Sequence, residues 1–473
     1  MEIFEDVNFR KRRLFRIKQV FFEWSLRTDI NCYTKIFEYR ENFLAKFFWT
    51  LVLLLLNILT FWLIASTIFS FLIFEVVTKI DVVTEMSSKF PTVTFCNNDA
   101  FTTQESQAIL ENVAINNSLD LDSFTDMFTI THLAKMNAMN PSFGDEKRKR
   151  LGLKLDHIFT CVYGLKSCSK SDFNWFYSFE YGNCFQFNSG FNKKETLKNI
   201  DMQGYRHGLQ ITIGPLSNNN RYVSSWNDGI VVFVHNSSSF KPTSSDGVCL
   251  EPGKSTFISV KKTITHKYPY PYSNCIELNS FSSELYDIII GSNKTYRQRD
   301  CIELCIQRKI IENCGCYSLE NHDLKTTARP CLKLIDLFCL REQKANFNAK
   351  ECEKNFCPLE CDSIKYDLVL SSIVFPNLKG FNSLSESSIK YMQREVSNQS
   401  LTYDLFKQMY LQFNVFYPYL EYSEMSESPK MSIIDLFTQI GGSLGMFFSL
   451  SVFTIFEILE VFVLILHAAL TKS

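Results

Sequence analysis

Two long apolar segments lie at opposite ends of a 473-residue chain, and nearly everything between them is polar and dense in cysteine. No charged residue occurs from Phe47 to Phe74. A helix of that length measures about 42 Å against roughly 30 Å of hydrocarbon, so it spans a bilayer with tilt or with one end projecting. The second segment, about Ile433 to Leu466, is also long enough, but it is not a plain anchor. It carries IGGSLGMFFSLS (440 to 451) and then two carboxylates, Glu457 and Glu460. A charge inside a span costs about 2.5 to 3.5 kcal/mol on insertion scales, so such residues face a protein interior or a water-filled path. The predicted organisation is an N-terminal segment 1–46, a span 47–74, an outer domain 75–432, a second span 433–466 and a tail 467–473.

Within the middle, Pro91 to Phe95 alternates with β-branched residues and predicts a strand closed by Cys96. Residues 99 to 160 instead show helical spacing, with Phe124, Met127, Phe128, Ile130 and Leu133 as the apolar positions. The charged run DEKRKR (145 to 150) there reads as a solvated surface rather than a binding patch. Strand patterns return at 208–214, 229–236, 255–265 and 365–372, with turn formers such as Glu251-Pro252-Gly253 between them. The expectation is an α+β outer domain, a β-rich body with helical insertions.

Charge and cysteine usage fix the topology. The net charge of −1 and 21% charged residues exclude a nucleic-acid binder, and two apolar segments exclude a multi-span transporter. Arg27, Lys35, Arg40 and Lys46 precede the first span and Lys472 follows the second, a bias that places both ends in the cytoplasm and the middle outside. Residues 1–46 lack a signal-peptide pattern, so the first span is expected to act as its own insertion signal. Of 16 cysteines, all but Cys32 fall in the middle, as an oxidising compartment requires. Four glycosylation sequons, at Asn116, Asn236, Asn293 and Asn398, lie there too.

From Cys301 to Cys361 the cysteines crowd with CxxxC and CxC spacings rather than the CxxC knuckles of zinc sites, which favours disulfides over metal without fixing their connectivity. His207, His235, His266 and His322 have no close ligand partners in sequence and are assigned surface or packing roles. No metal site, no cofactor and no catalytic constellation is expected.

In the second span Gly441, Gly445 and Ser449 repeat every fourth residue, with Gly442 adjacent, and such small residues let another helix approach closely. That pattern reads as a packing seam. Ser449-Leu450-Ser451 adds two hydroxyls in a stretch weakened by glycine, where backbone can unwind and turn carbonyls toward a lumen. At 100° per residue Glu460 falls about 20° from Ser449 and Glu457 about 80°. Two readings stand for these carboxylates: a ring lining an inner mouth, or side chains snorkelling at the cytoplasmic interface. One copy of the span encloses nothing, so a conduit requires an oligomer.

Several motifs, in order, resemble the degenerin and epithelial sodium channel family: FPTVTFCN (90 to 97), GNCFQFNSG (182 to 190), LEPG (250 to 253), YPYPYSNC (268 to 275), CPLECDSIKY (357 to 366) and GGSLGMFFSLSVFTIFE (441 to 457). The resemblance covers about residues 35 to 466. It implies a homo- or heterotrimer of related subunits in the plasma membrane, with palm, β-ball, finger, knuckle and thumb parts and a Na⁺-selective, amiloride-blocked pore. It also implies a selectivity tract at Ser449, Leu450 and Ser451, a degenerin position at Thr438, and acidic lower-pore positions at Glu457 and Glu460. Family disulfides would pair Cys96 with Cys184, Cys161 with Cys168, Cys275 with Cys361, Cys301 with Cys357, Cys305 with Cys352, Cys314 with Cys339, and Cys316 with Cys331, leaving Cys249 alone.

Departures bear on the stimulus. The family's cytoplasmic His-Gly pair aligns with Asn31-Cys32, which implies low intrinsic opening or dependence on partner subunits. Val76 stands before Val77-Thr78-Lys79 where acid-sensing relatives carry histidine, which weakens simple proton gating. An extracellular peptide is the first expectation and touch the second. A non-conducting two-pass receptor or adhesion protein is the competing class.

Overall fold

The computed structural model describes residues 23–24, 42–190, 197–216, 227–239, 246–277, 280–292, 294–320, 324, 326–386, 388–389, 392, 401–449 and 451–470. The chain divides into two compact units, Thr78–Glu427 and a second that joins Met1–Val77 to Ser428–Ser473.

Two sheets build the larger unit. One runs β1 (Val76–Thr84), β12 (Glu421–Pro429), β9 (Lys254–His266), β11 (Leu411–Phe416), β6 (Leu209–Ile213), β3 (Ile158–Tyr163) and the short strand Lys166–Ser167, with β10 (Asp362–Val374) also paired to β9. The other runs β8 (Gly247–Leu250), β7 (Ile230–His235), β2 (Thr92–Asn97), β5 (Gly182–Phe187) and β4 (Phe173–Ser178). The long strand β9 organises the first sheet. It pairs with β10 along its whole length, antiparallel, while its other flank holds β11 at Ser255–Ser259 and β12 at Lys262–His266, both parallel.

The main core fills the space where Val93, Phe95, Phe187 and Val232 of one sheet meet Ile211, Ile258, Val260 and Phe413 of the other. Phe95 and Phe413 bring their rings to 5.9 Å. β2 does not close at Cys96 but continues to Asn97, and every residue in it is buried. The reason is position: it lies between β7 and β5, so both edges are paired and neither face meets water. Burial lowers the His235 imidazole to about 4, and its Nε2 lies 2.8 Å from the hydroxyl of Thr94 on β2.

Helical insertions form a second core. α2 (Gln104–Asn117) starts at a Thr103–Ser106 capping box, and α3 (Phe124–Met139) at Ser123, whose hydroxyl accepts from the Asp126 amide. Leu110 of α2 and Ile130 and Leu133 of α3 pack with Ile310 of α5 (Gln298–Cys314) and Leu337 and Leu340 of α6 (Leu334–Ala345). A third cluster joins Leu285 and Ile289 of α4 (Glu284–Gly291) to Cys301, Cys305, Cys352 and Cys357. The charged run at 145–150 is only partly the solvated surface expected of it. Arg148 is mostly buried, and its guanidinium donates to the carbonyls of Ala138, Met139 and Asn140, the exposed end of α3.

Seven disulfides cross this unit: Cys96–Cys184, Cys161–Cys168, Cys275–Cys361, Cys301–Cys357, Cys305–Cys352, Cys314–Cys339 and Cys316–Cys331. These are the pairs the family resemblance implies. Cys249 is free and exposed on β8. Three of the bridges, from Cys301, Cys305 and Cys314, staple α5 to its surroundings, the last of them to Cys339 of α6, where short helices alone would be marginal.

Asp336, at the start of α6, anchors that end electrostatically. Arg329 grips it with two nitrogens at 2.7 and 2.8 Å, and the amides of Leu332 and Lys333 donate to it at 3.0 Å each. The guanidinium first, and then these amides, lower its carboxyl to about 2. A depressed acid stabilises the fold above its unfolded pKa, near 4, and loses that contribution as pH falls through the folded value. Asp336→Asn is therefore expected to lower the melting temperature at neutral pH, by an amount corresponding to about 2 kcal/mol. Thermal melts from pH 7 downward should show the gap between variant and parent closing between about pH 4 and pH 2.

Candidate functional site

The smaller unit is built from the chain's apolar ends. α1 (Phe43–Leu72) contains no proline or glycine, and its Thr50, Asn57 and Thr67 side chains donate back to carbonyls one turn earlier at 2.7, 2.8 and 2.9 Å. These three side chains are thus satisfied within the helix, whereas the buried Thr60 hydroxyl has no hydrogen-bond partner. Among the described residues it is the one helix long and apolar enough to cross a membrane. Phe61 and Trp62 are among many large apolar side chains it leaves exposed.

Beyond α1 the chain turns at Phe74, with φ 54°, and Glu75 meets Lys430. The Lys430 amide donates to the Glu75 carbonyl at 2.9 Å while their side chains form an ion pair. This clasp ties the chain leaving α1 to the chain approaching α7 (Ile433–Phe448).

Ser432 and Asp435 start α7 with a capping box: the Ser432 amide donates to Asp435 Oδ2 at 2.9 Å, and the Asp435 amide to Ser432 Oγ at 3.1 Å. The helix packs on α1. Thr438 is exposed, and its hydroxyl donates to the Ile434 carbonyl at 2.8 Å. A Cβ placed on Gly441 or Gly442 would meet nothing within 4 Å, so both face open space in the single chain. Gly445 is half-buried, and its carbonyl accepts from the Ser449 amide at 2.9 Å.

There the helix stops. Ser449 adopts the left-handed conformation, φ 59° and ψ 23°, which ends α-helices and costs a non-glycine residue about 1–2 kcal/mol. Helix resumes as α8 (Val452–Leu470), whose first turn is fixed by Ser451 and Thr454. The Ser451 amide donates to Thr454 Oγ1 at 3.0 Å, and the Thr454 amide to the Ser451 carbonyl at 3.1 Å. Two helices thus replace one, and Ser449 and Ser451 flank the interruption. Glu457 is half-buried and Glu460 exposed on α8, roughly 9 and 14 Å along the axis from Ser451.

Other residues singled out from sequence fall elsewhere. Asn116 is exposed on α2, and Asn236 is half-buried just past β7. Asn31, Cys32, Asn293, His322, Asn398 and Leu450 lie outside the described residues. Among the described residues no group of three or more His, Cys, Asp or Glu is arranged to hold a metal ion. Two features escaped sequence reading. The Ser432-x-x-Asp435 spacing is a legible capping-box signal, whereas the Glu75–Lys430 clasp joins residues far apart in sequence and carries no local sign.

The comparisons place this architecture. Residues 25–461 match the amiloride-sensitive sodium channel family, and the chain belongs to that family of ion channels. It is 29% identical over 328 residues to the epithelial sodium channel subunit gamma-2 of Xenopus laevis, covering 67% of this chain and 47% of that protein. It is 24% identical to the bile acid-sensitive ion channel of Mus musculus over 89% of this chain and 83% of that protein. Identity to the FMRFamide-activated amiloride-sensitive sodium channel of Cornu aspersum is 22%, over 82% of this chain and 74% of that one. The chain spans about half the length of the epithelial sodium channel subunits it matches.

The left-handed Ser449 generates a direct test. Ser449→Gly should keep or raise the melting temperature of the detergent-solubilised protein, because glycine adopts that conformation without penalty. Ser449→Val should lower it by several degrees, since a β-branched side chain is strained there.

Proposed function

We propose that the protein is a subunit of a gated, sodium-selective, amiloride-sensitive cation channel of the plasma membrane. Three related subunits, identical or mixed, gather their second apolar segments about an axis, and Na⁺ passes down its gradient through a constriction at Ser449, Leu450 and Ser451. Both spans cross the bilayer, both termini are cytoplasmic, and residues 75–432 lie outside.

One observation carries the reading: in a chain of this family, the second apolar segment is interrupted at the small, hydroxyl-bearing tract instead of running through it. Non-helical backbone at bilayer depth is tolerated where it is buried in protein or lines water, and a lined path supplies the water. α7 and α8 contain 16 and 19 residues, or about 24 and 28 Å of helix, so together they have length to cross with the break near mid-depth. The open side of Gly441 and Gly442 supports close approach by another subunit. Glu457 and Glu460 beyond the break would concentrate cations and repel anions.

Opening follows from connectivity. β1 and β12 are neighbours in one sheet, and each leads directly into an apolar helix, so a shift of the sheet displaces both. An extracellular peptide is the favoured stimulus, supported by the FMRFamide-activated relative, with mechanical force second.

The test is electrophysiological. Oocytes expressing the chain, alone and with related subunits, should give an amiloride-blocked Na⁺ current when Thr438 is replaced by tryptophan. Ser449→Cys or Ser451→Cys should make that current sensitive to small hydrophilic thiol reagents applied outside. Surface-expressed protein with no cation current in any combination, and with unreactive cysteines, would overturn the channel in favour of a non-conducting receptor.

A further inference from the structure

β10 is a long edge strand of the first sheet. Among the described residues it pairs with β9 alone, in one unbroken register from Asp362 opposite His266 to Val374 opposite Lys254. Alternate residues of such a strand direct amides and carbonyls away from the sheet, and that free edge recruits further strands unless something blunts it.

The two halves of β10 differ in this protection. The first half carries Asp362, Lys365 and Asp367, charges of the kind by which natural sheets discourage pairing. From Leu368 to Leu378 no charged residue occurs, and the unbroken register leaves no bulge to turn the edge away. Val369 and Ile373 share one face of the strand, and Leu370 and Val374 share the other. All four are exposed, by 45 to 68%. Leu368 still packs against the main core, but Leu370 and Val374 on its side of the strand run past it. Leu378, just beyond the strand, is exposed as well.

A strand that is apolar on both faces and unblunted along its edge associates indiscriminately when left bare. A ligand that comes and goes leaves it bare between visits, so its cover has to be permanent. We propose that residues 368–378 form the apolar centre of a contact with a second copy of this chain. The exposed charges that flank the strip, Asp367 and Lys379, then belong to the polar rim that surrounds such a centre. A standard contact draws about 20 to 30 residues from each side, so the strip is its middle and not its whole extent. This contact rests on the three-subunit assembly of the channel reading and gives that assembly a constraint. Only a twofold axis lets an edge strand pair with the same strand of another copy, so around a threefold axis the strip meets a different surface of its neighbour.

Two measurements on the full chain test the contact, and neither reads conduction, so the channel reading keeps its own separate test in the Na⁺ current. p-Benzoylphenylalanine placed at Val369 and activated in cell membranes should give an adduct of twice the chain mass, built from this chain alone. Light scattering of the detergent-purified protein should show the parent as an assembly. Val369→Asp combined with Ile373→Asp should lower the assembled fraction about tenfold or more. Both side chains project from the single chain into solvent, so the variant should keep the circular dichroism of the parent. No adduct at 369, an adduct with any other molecule, or equal masses for variant and parent overturns the proposal.

Discussion

A peptide backbone entering hydrocarbon must satisfy its own amides and carbonyls, and a helix that stops partway across releases groups that lipid cannot bond. This constraint governs the whole account. In α1 the backbone requirement is met throughout, because the ladder is continuous, and the Thr50, Asn57 and Thr67 side chains return to their own helix. Between α7 and α8 it is met only in part: Ser449 closes one end onto Gly445, and Ser451 opens the next with Thr454. The remaining groups need water or protein around them. In the proposed channel, an axis shared by several subunits would provide both, and a lone helix in lipid would provide neither.

The larger unit is organised around one long strand. β9 couples two flanks, holding β10 on one side and both β11 and β12 on the other. β12 and its neighbour β1 are the strands that continue into the apolar helices, and the Glu75–Lys430 clasp fastens their ends together. Elsewhere in that unit, the Cys314–Cys339 disulfide and the Arg329–Asp336 grip hold short helices that would not persist by propensity alone.

Much of this was legible in the sequence. The apolar run 47–74, the later strand segments and the helical spacing around Phe124 to Leu133 follow from periodicity, and the structure places helix or strand at each. The chance of a break at Ser449 to Ser451 was readable because glycine-rich, hydroxyl-bearing stretches weaken a helix. What escaped reading depends on long-range register. Arg148 looked solvated within a charged run, yet it turns inward because the end of α3 offers three carbonyls. His266 looked solitary, since the carboxylates that face it, Asp362 and Glu424, stand on strands that pair with β9 only after distant parts of the chain fold together. Asn97 extends β2 past Cys96, where alternation closed it, because pairing on both edges overrides the pattern of a half-buried strand.

A density map of the protein in lipid nanodiscs tests the central claim most directly. The account predicts three copies around an axis, each with its second apolar segment interrupted at residues 449–451 and with that interruption lining a hydrated opening. A single copy whose second segment runs as one continuous helix surrounded by lipid would contradict it.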